Sequence, residues 1–189
     1  MAFKEWAVIV DALGHGQQIL ILRKGGISEG RGGFQVNHPD FFLFPTLFHQ
    51  QPDSVLPEAA ARFRVILPLY QEKENVRIEY FVRVATWAKL TSLNDAERLK
   101  GQHVWKDEVI ASRYDWGGEK SIFALACRVY RLPAPILFPN SPAYAGCKSW
   151  IELESDVDIA GSTAVLSEAA FGEKLAEFEQ ATGVPAIRA

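Results

Sequence analysis

The stretch VRIEYFVRV, Val76 to Val84, alternates Val76, Ile78, Tyr80, Val82 and Val84 with Arg77, Glu79, Phe81 and Arg83. A period of two places alternate side chains on opposite faces of an extended chain, so the stretch predicts a β-strand with one buried face. A second long strand is predicted over Ser121 to Leu132, SIFALACRVYRL, stopping at Pro133 and Pro135. The short apolar run Ile19 to Leu22 suits a strand covered on both faces. Phe41 to Phe44 forms another, with Pro45 as its turn, and CKSWIEL provides an edge strand.

Helical signals lie between these runs. Trp6, Ile9, Val10 and Leu13 share one helical face over Glu5 to Leu13. Pro57 opens a short helix that Pro68 stops. SLNDAERLKG ends a third helix at Gly101, and WKDEVIASRY carries Asp107 and Glu108 in an acidic first turn. Ser167 caps a final helix whose Phe171, Leu175 and Phe178 share a face, with Gly183 as its stop. Long one-faced strands without βαβ alternation predict an α+β fold with a mainly antiparallel, barrel-like sheet. We expect a single domain over residues 1–189, with a core over about 1–155 and a C-terminal helical appendage over about 162–184 packed outside the sheet.

The composition, 48% hydrophobic and 23% charged, is that of a globular chain. Twenty basic against twenty-three acidic residues argue against broad phosphate neutralisation on duplex nucleic acid. No run approaches the roughly 18 apolar residues of a spanning helix, and MAFKEWAVIVDALGHG lacks the pattern of a signal peptide. These features predict a cytoplasmic protein with no membrane partner. Cys127 and Cys147 are too few and isolated for a disulfide framework, which predicts buried free thiols.

Across nearly the whole chain, KEWAVIVDAL…ILILRKGGI, FFLFPTLFHQ, WKDEVIASRYDW…CRVYRLPAP and GCKSWIEL resemble the DUF1802 family of bacterial proteins in kind and order. That resemblance implies an identity without a chemistry. The order of elements also resembles PUA-like and ASCH-type domains, small barrels linked with RNA or modified bases. Fold-level likeness does not assign function.

The residues offer three functional readings. In the first, Arg23 and Lys24 end a buried strand before a glycine-rich loop, where cations and backbone amides can hold a phosphate or carboxylate. Arg113, beside Tyr114 and Trp116, has the character of a contact to single-stranded nucleic acid. Arg23, Lys24, Thr46, His49 and Arg113 would then line one basic and aromatic cleft for single-stranded nucleic acid or a nucleotide, with Gln50 beside His49 as a further ligand contact. In the second, His49 is the acid-base group of a hydrolase or nuclease-like enzyme acting on a nucleotide or small anionic substrate. In the third, the domain is structural or binds another protein, with Arg113 in an ion pair and the aromatics in the core. The P-loop spacing and the GxSxG elbow are both missing, and no acid-x-Lys pair falls on a predicted strand. His38 and His49 are too far apart for one helix face, and neither Asp40, His103 nor Cys147 has the spacing of a third ligand, so no metal site is assigned. The cofactor is left open.

Overall fold

A computed structural model describes residues 1–24, 36–47, 52–71, 74–146 and 148–184. The chain begins with strand β1 (Ala2–Trp6) and turns directly into helix α1 (Ala7–Gly14). The predicted helix thus starts two residues late, because Glu5 and Trp6 extend a strand. All eight residues of α1 are buried, so it is a core helix without a polar face. Strands β2 (Leu20–Arg23) and β3 (Asp40–Thr46) follow, then helix α2 (Pro57–Tyr70) and strand β4 (Asn75–Leu90). Helices α3 (Leu93–Glu97) and α4 (Asp107–Asp115) precede strand β5 (Ile122–Pro139). Two short strands, β6 (Trp150–Ile151) and β7 (Thr163–Ala164), lead to helix α5 (Glu168–Thr182).

Among the described residues these strands form one mixed sheet in the order β2-β5-β4-β3-β1-β6, with β7 beside β5. Every pairing is antiparallel except β1 with β3. The α+β class and the mainly antiparallel sheet are as expected; the closed barrel is not. No ladder joins the outer strands β2 and β6 among the described residues, and the sheet is open. Its two ends nevertheless meet through side chains: Arg23 Nε donates to Ser149 Oγ at 2.9 Å, and the guanidinium lies 5.4 Å from the centre of the Phe3 ring.

Three prolines do not end the elements they were expected to end. Helix α2 runs past Pro68 to Tyr70, because a proline in the last turns forfeits only one helical hydrogen bond. Strand β5 passes Pro133 and Pro135 by slipping register. Tyr80 pairs with Arg131, but Ile78 pairs with Ile136, so both prolines sit where the ladder is already interrupted.

This slip also revises the reading of β4. Tyr80 and Val82 belong to the main core, whereas Val76 and Ile78 join a second cluster with Phe42, Phe44, Phe138 and Tyr144. The single alternating face is therefore two buried faces joined at an irregularity, where β5 moves five residues against two of β4 and an odd slip reverses the side on which residues point. The main core lies under α1, α2 and α5. It includes Phe63 and Ile66 of α2, and Phe171, Phe178 and Ala181 of α5. Ser167 and Gly183 cap α5 as expected: the serine oxygen accepts from Ala170 N, and Gly183 has φ 71°. Cys127 is a buried free thiol; Cys147 lies outside the described residues.

Helix α2 is docked on α1 by a bidentate ion pair. Arg62 Nε and Nη2 donate to the two carboxylate oxygens of Asp11 at 2.9 and 2.8 Å. The hydrogen bond to Asp11 raises the Arg62 pKa. Asp11 is buried, so Arg62→Ala strands a desolvated carboxylate and is expected to cost about 2 kcal/mol in chemical denaturation. That figure lies below the usual cost of breaking a buried pair, because the arginine keeps a third of its side chain in water. Adding Asp11→Ala should restore part of the loss.

Candidate functional site

The best-formed concavity arises where the sheet comes apart. Strand β3 pairs with β4 only at Asp40–Arg83, Phe41–Val82 and Phe42–Phe81. Continued in register, Thr46 would face Arg77; instead the strands diverge, and both residues line a cleft of about 720 Å³. Strand β1 still backs β3 as far as Thr46.

Pro45 suits this opening. Phe42 N donates toward β1, to Met1 O, so the odd-numbered residues of β3 turn their backbone groups toward β4. At residue 45 that side has lost its partner, and proline has no N–H to leave unsatisfied there. The expectation of a turn at Pro45 is corrected: it is a strand residue beside a gap.

The walls come from several elements. Strand β1 contributes Lys4, Glu5 and Trp6; β2 contributes Arg23; β3 contributes Phe44 to Thr46; β4 contributes Asn75 to Arg77. Tyr70 closes one end, while Tyr144 and Lys148 come from the segment after β5. The lining thus includes four cations, Lys4, Arg23, Arg77 and Lys148, and four aromatic rings, Trp6, Phe44, Tyr70 and Tyr144. Phe44 and Tyr144 meet edge to face at 5.5 Å. Lys4 lies over the Phe44 ring and donates to the carbonyls of Tyr144 and Gly146, which anchors the loop. Arg77 pairs with Glu79 at 2.5 Å. Burial pushes the Tyr70 phenol up, so it stays a neutral hydrogen-bonding ring at physiological pH.

The residues singled out in the sequence separate here. Arg23 and Thr46 line the cleft together. His49 and Gln50 lie outside the described residues. Lys24, expected beside Arg23, is not among the lining residues. Its ammonium donates to the carbonyls of Tyr114, Glu119 and Ser121, tying β2 to the end of α4 and the start of β5. Desolvation there lowers its pKa, against the pull of Glu119.

Arg113 is also withdrawn from the cleft. Its guanidinium sits 4.9 Å from the Trp6 ring centre and 5.0 Å from that of Trp105, and Nη1 donates to Leu22 O at 2.9 Å. Desolvation lowers its pKa, opposed by Glu5 and reinforced by the charge of Arg23. This arginine caps a carbonyl at the sheet edge from between two indoles and is not among the residues that line the cleft with Arg23 and Thr46. Among the described residues no cluster of three His, Cys, Asp or Glu could hold a metal ion.

The family described as a domain of unknown function (DUF1802) matches residues 2–177 of the 189. The chain belongs to the DUF1802 family. No curated protein and no solved structure matches it. No helix among the described residues is long and apolar enough to cross a membrane. In this DUF1802 domain, the cleft residues that sequence reading passed over are Lys4, Glu5, Arg77, Tyr144 and Lys148. The available signal was the charged pair Lys4-Glu5 inside an otherwise apolar run. Only Glu5 of that pair falls in the helix predicted over Glu5 to Leu13, and five residues are too few to display a strand period.

Proposed function

We propose that this cleft binds a nucleotide, either free or within single-stranded nucleic acid. The observation that carries the reading is the convergence of four cations and four aromatic rings on one concavity. Rings stack on bases, and cations hold phosphate. The volume lies within the roughly 300–1,000 Å³ range of small-ligand sites.

Arg23 is the natural phosphate or base contact. Its Nε donates to Ser149 and its guanidinium lies over the Phe3 ring, while its two terminal nitrogens make no hydrogen bond among the described residues. Calorimetric titration with nucleoside monophosphates, and anisotropy with short single-stranded RNA and DNA, should show binding that Arg23→Ala weakens by roughly tenfold. If strands are the ligand, affinity falls with salt, and four cations set a limiting log–log slope of about −3. A free nucleotide gives a much shallower dependence. Absence of binding by either ligand at low salt refutes the proposal.

A further inference from the structure

We infer that Glu5 and Arg23 together read a guanine base in this cleft, a reading that rests on the nucleotide site proposed above. Glu5 is 1% exposed, yet it belongs to the cleft lining. One carboxylate oxygen, Oε1, accepts from Trp6 N at 2.7 Å. The other, Oε2, is buried with no hydrogen-bond partner among the described residues. Leaving a buried acceptor unpaired is costly, and native folds keep few such groups.

The arginines beside Glu5 do not satisfy it. Glu5 acts on Arg113 electrostatically, as does Arg23, but no ion pair joins Glu5 to either arginine among the described residues. The wall of the cleft therefore holds a covered carboxylate oxygen without a partner among the described residues, and beside it a guanidinium with two terminal nitrogens to offer. A ligand that satisfies both must present donors on one edge and acceptors on the adjoining one.

Guanine does so more completely than the other bases. Its N1–H and exocyclic N2–H₂ offer two neighbouring donors to a carboxylate, while O6 and N7 offer two acceptors to an arginine. Adenine and cytosine offer a carboxylate one exocyclic amino group. Uracil offers a single N–H flanked by two carbonyl oxygens, which repel it. Because Oε2 is covered, binding includes a rotation of the Glu5 carboxylate toward the base. The rings of Phe44 and Tyr144 line the same cleft and can take the stacked face.

Titration of the full chain with GMP, AMP, CMP and UMP tests the assignment. GMP is expected to bind roughly tenfold tighter than the others, the discrimination of a well-placed bidentate contact. IMP, which lacks the exocyclic amine, should lose most of that advantage in the unaltered protein, so this arm needs no variant. Glu5→Gln retains an acceptor for Trp6 N but turns an amide donor toward guanine, and should abolish the preference for GMP. Nucleotides bound without preference, or a preference that survives Glu5→Gln, would overturn the guanine assignment while leaving the nucleotide site standing. No nucleotide bound at all would overturn both. Should Glu5→Gln fail to fold, the IMP comparison decides alone: IMP equal to GMP overturns the assignment.

Discussion

Replacing Arg113 by alanine is expected to destabilise the protein by on the order of 2–3 kcal/mol, the cost of losing a hydrogen bond from a charged donor together with the packing between two indoles. The side chain supplies the hydrogen bond to Leu22 O and fills the space between Trp6 and Trp105. Glu5 acts on its charge electrostatically, without an ion pair between them among the described residues. Removing the arginine leaves a bare carbonyl and a cavity beside Trp105 at once. Arg113→Lys keeps the charge but loses the planar stacking, and should recover only part of the loss. Arg23→Ala makes the contrasting case: it forfeits one hydrogen bond to Ser149, so a loss of about 1 kcal/mol is expected together with the binding defect. Urea midpoints for the three variants check this ordering. An Arg113→Ala protein as stable as Arg23→Ala would show that the indole-flanked arginine is not structural.

Acid should unfold the protein in part through His103. Burial pushes this imidazole down to about 4 from its usual 6.5, with smaller opposing effects from neighbouring backbone groups and Asp107. The ring lies against Trp105, and its Nδ1 has no partner among the described residues. With the folded pKa below the unfolded one, the unfolded chain binds the extra proton between the two values. Stability therefore falls as pH drops from about 6.5 to about 4, by on the order of 3 kcal/mol from this residue. Below about 4 the folded form also protonates and the contribution levels off. Denaturant midpoints across this range should fall more steeply for the native sequence than for His103→Gln, the difference isolating the histidine from the carboxylates. Parallel profiles would mean that His103 is not held neutral by the fold.

Much of the architecture was readable from local signals. The acidic first turn of α4, the Pro57 start of α2 and the Ser167 and Gly183 caps of α5 are decided by residues within one or two turns of each other. The alternation over Val76–Val84 likewise identified a strand, although β4 runs on to Leu90 and divides its buried residues between two cores. The places where prolines misled are those where tertiary pairing had already released the backbone: a sheet edge beside a gap for Pro45, and a slipped ladder for Pro133 and Pro135.

The candidate cleft was less readable. Arg23 and Arg113 carry the same group, and nothing near either in the chain distinguishes a free guanidinium from one enclosed by indoles. The distinction comes from Trp6 and Trp105, a hundred residues apart in sequence but on either side of Arg113 in space. Lys4 and Glu5 likewise acquire their setting from a parallel pairing of β1 with β3, which no short-range pattern encodes.

By itself, then, the sequence determined the α+β class, most helix boundaries and the long β4 strand, because capping, chain stiffness and side-chain period act between near neighbours. Only the tertiary structure decided that β3 and β4 part after Phe42, that Arg23 borders the opening while Arg113 lies between Trp6 and Trp105, and that Glu5 is buried there with an oxygen to spare. Those outcomes depend on which distant strands pair and on how far water is excluded between them.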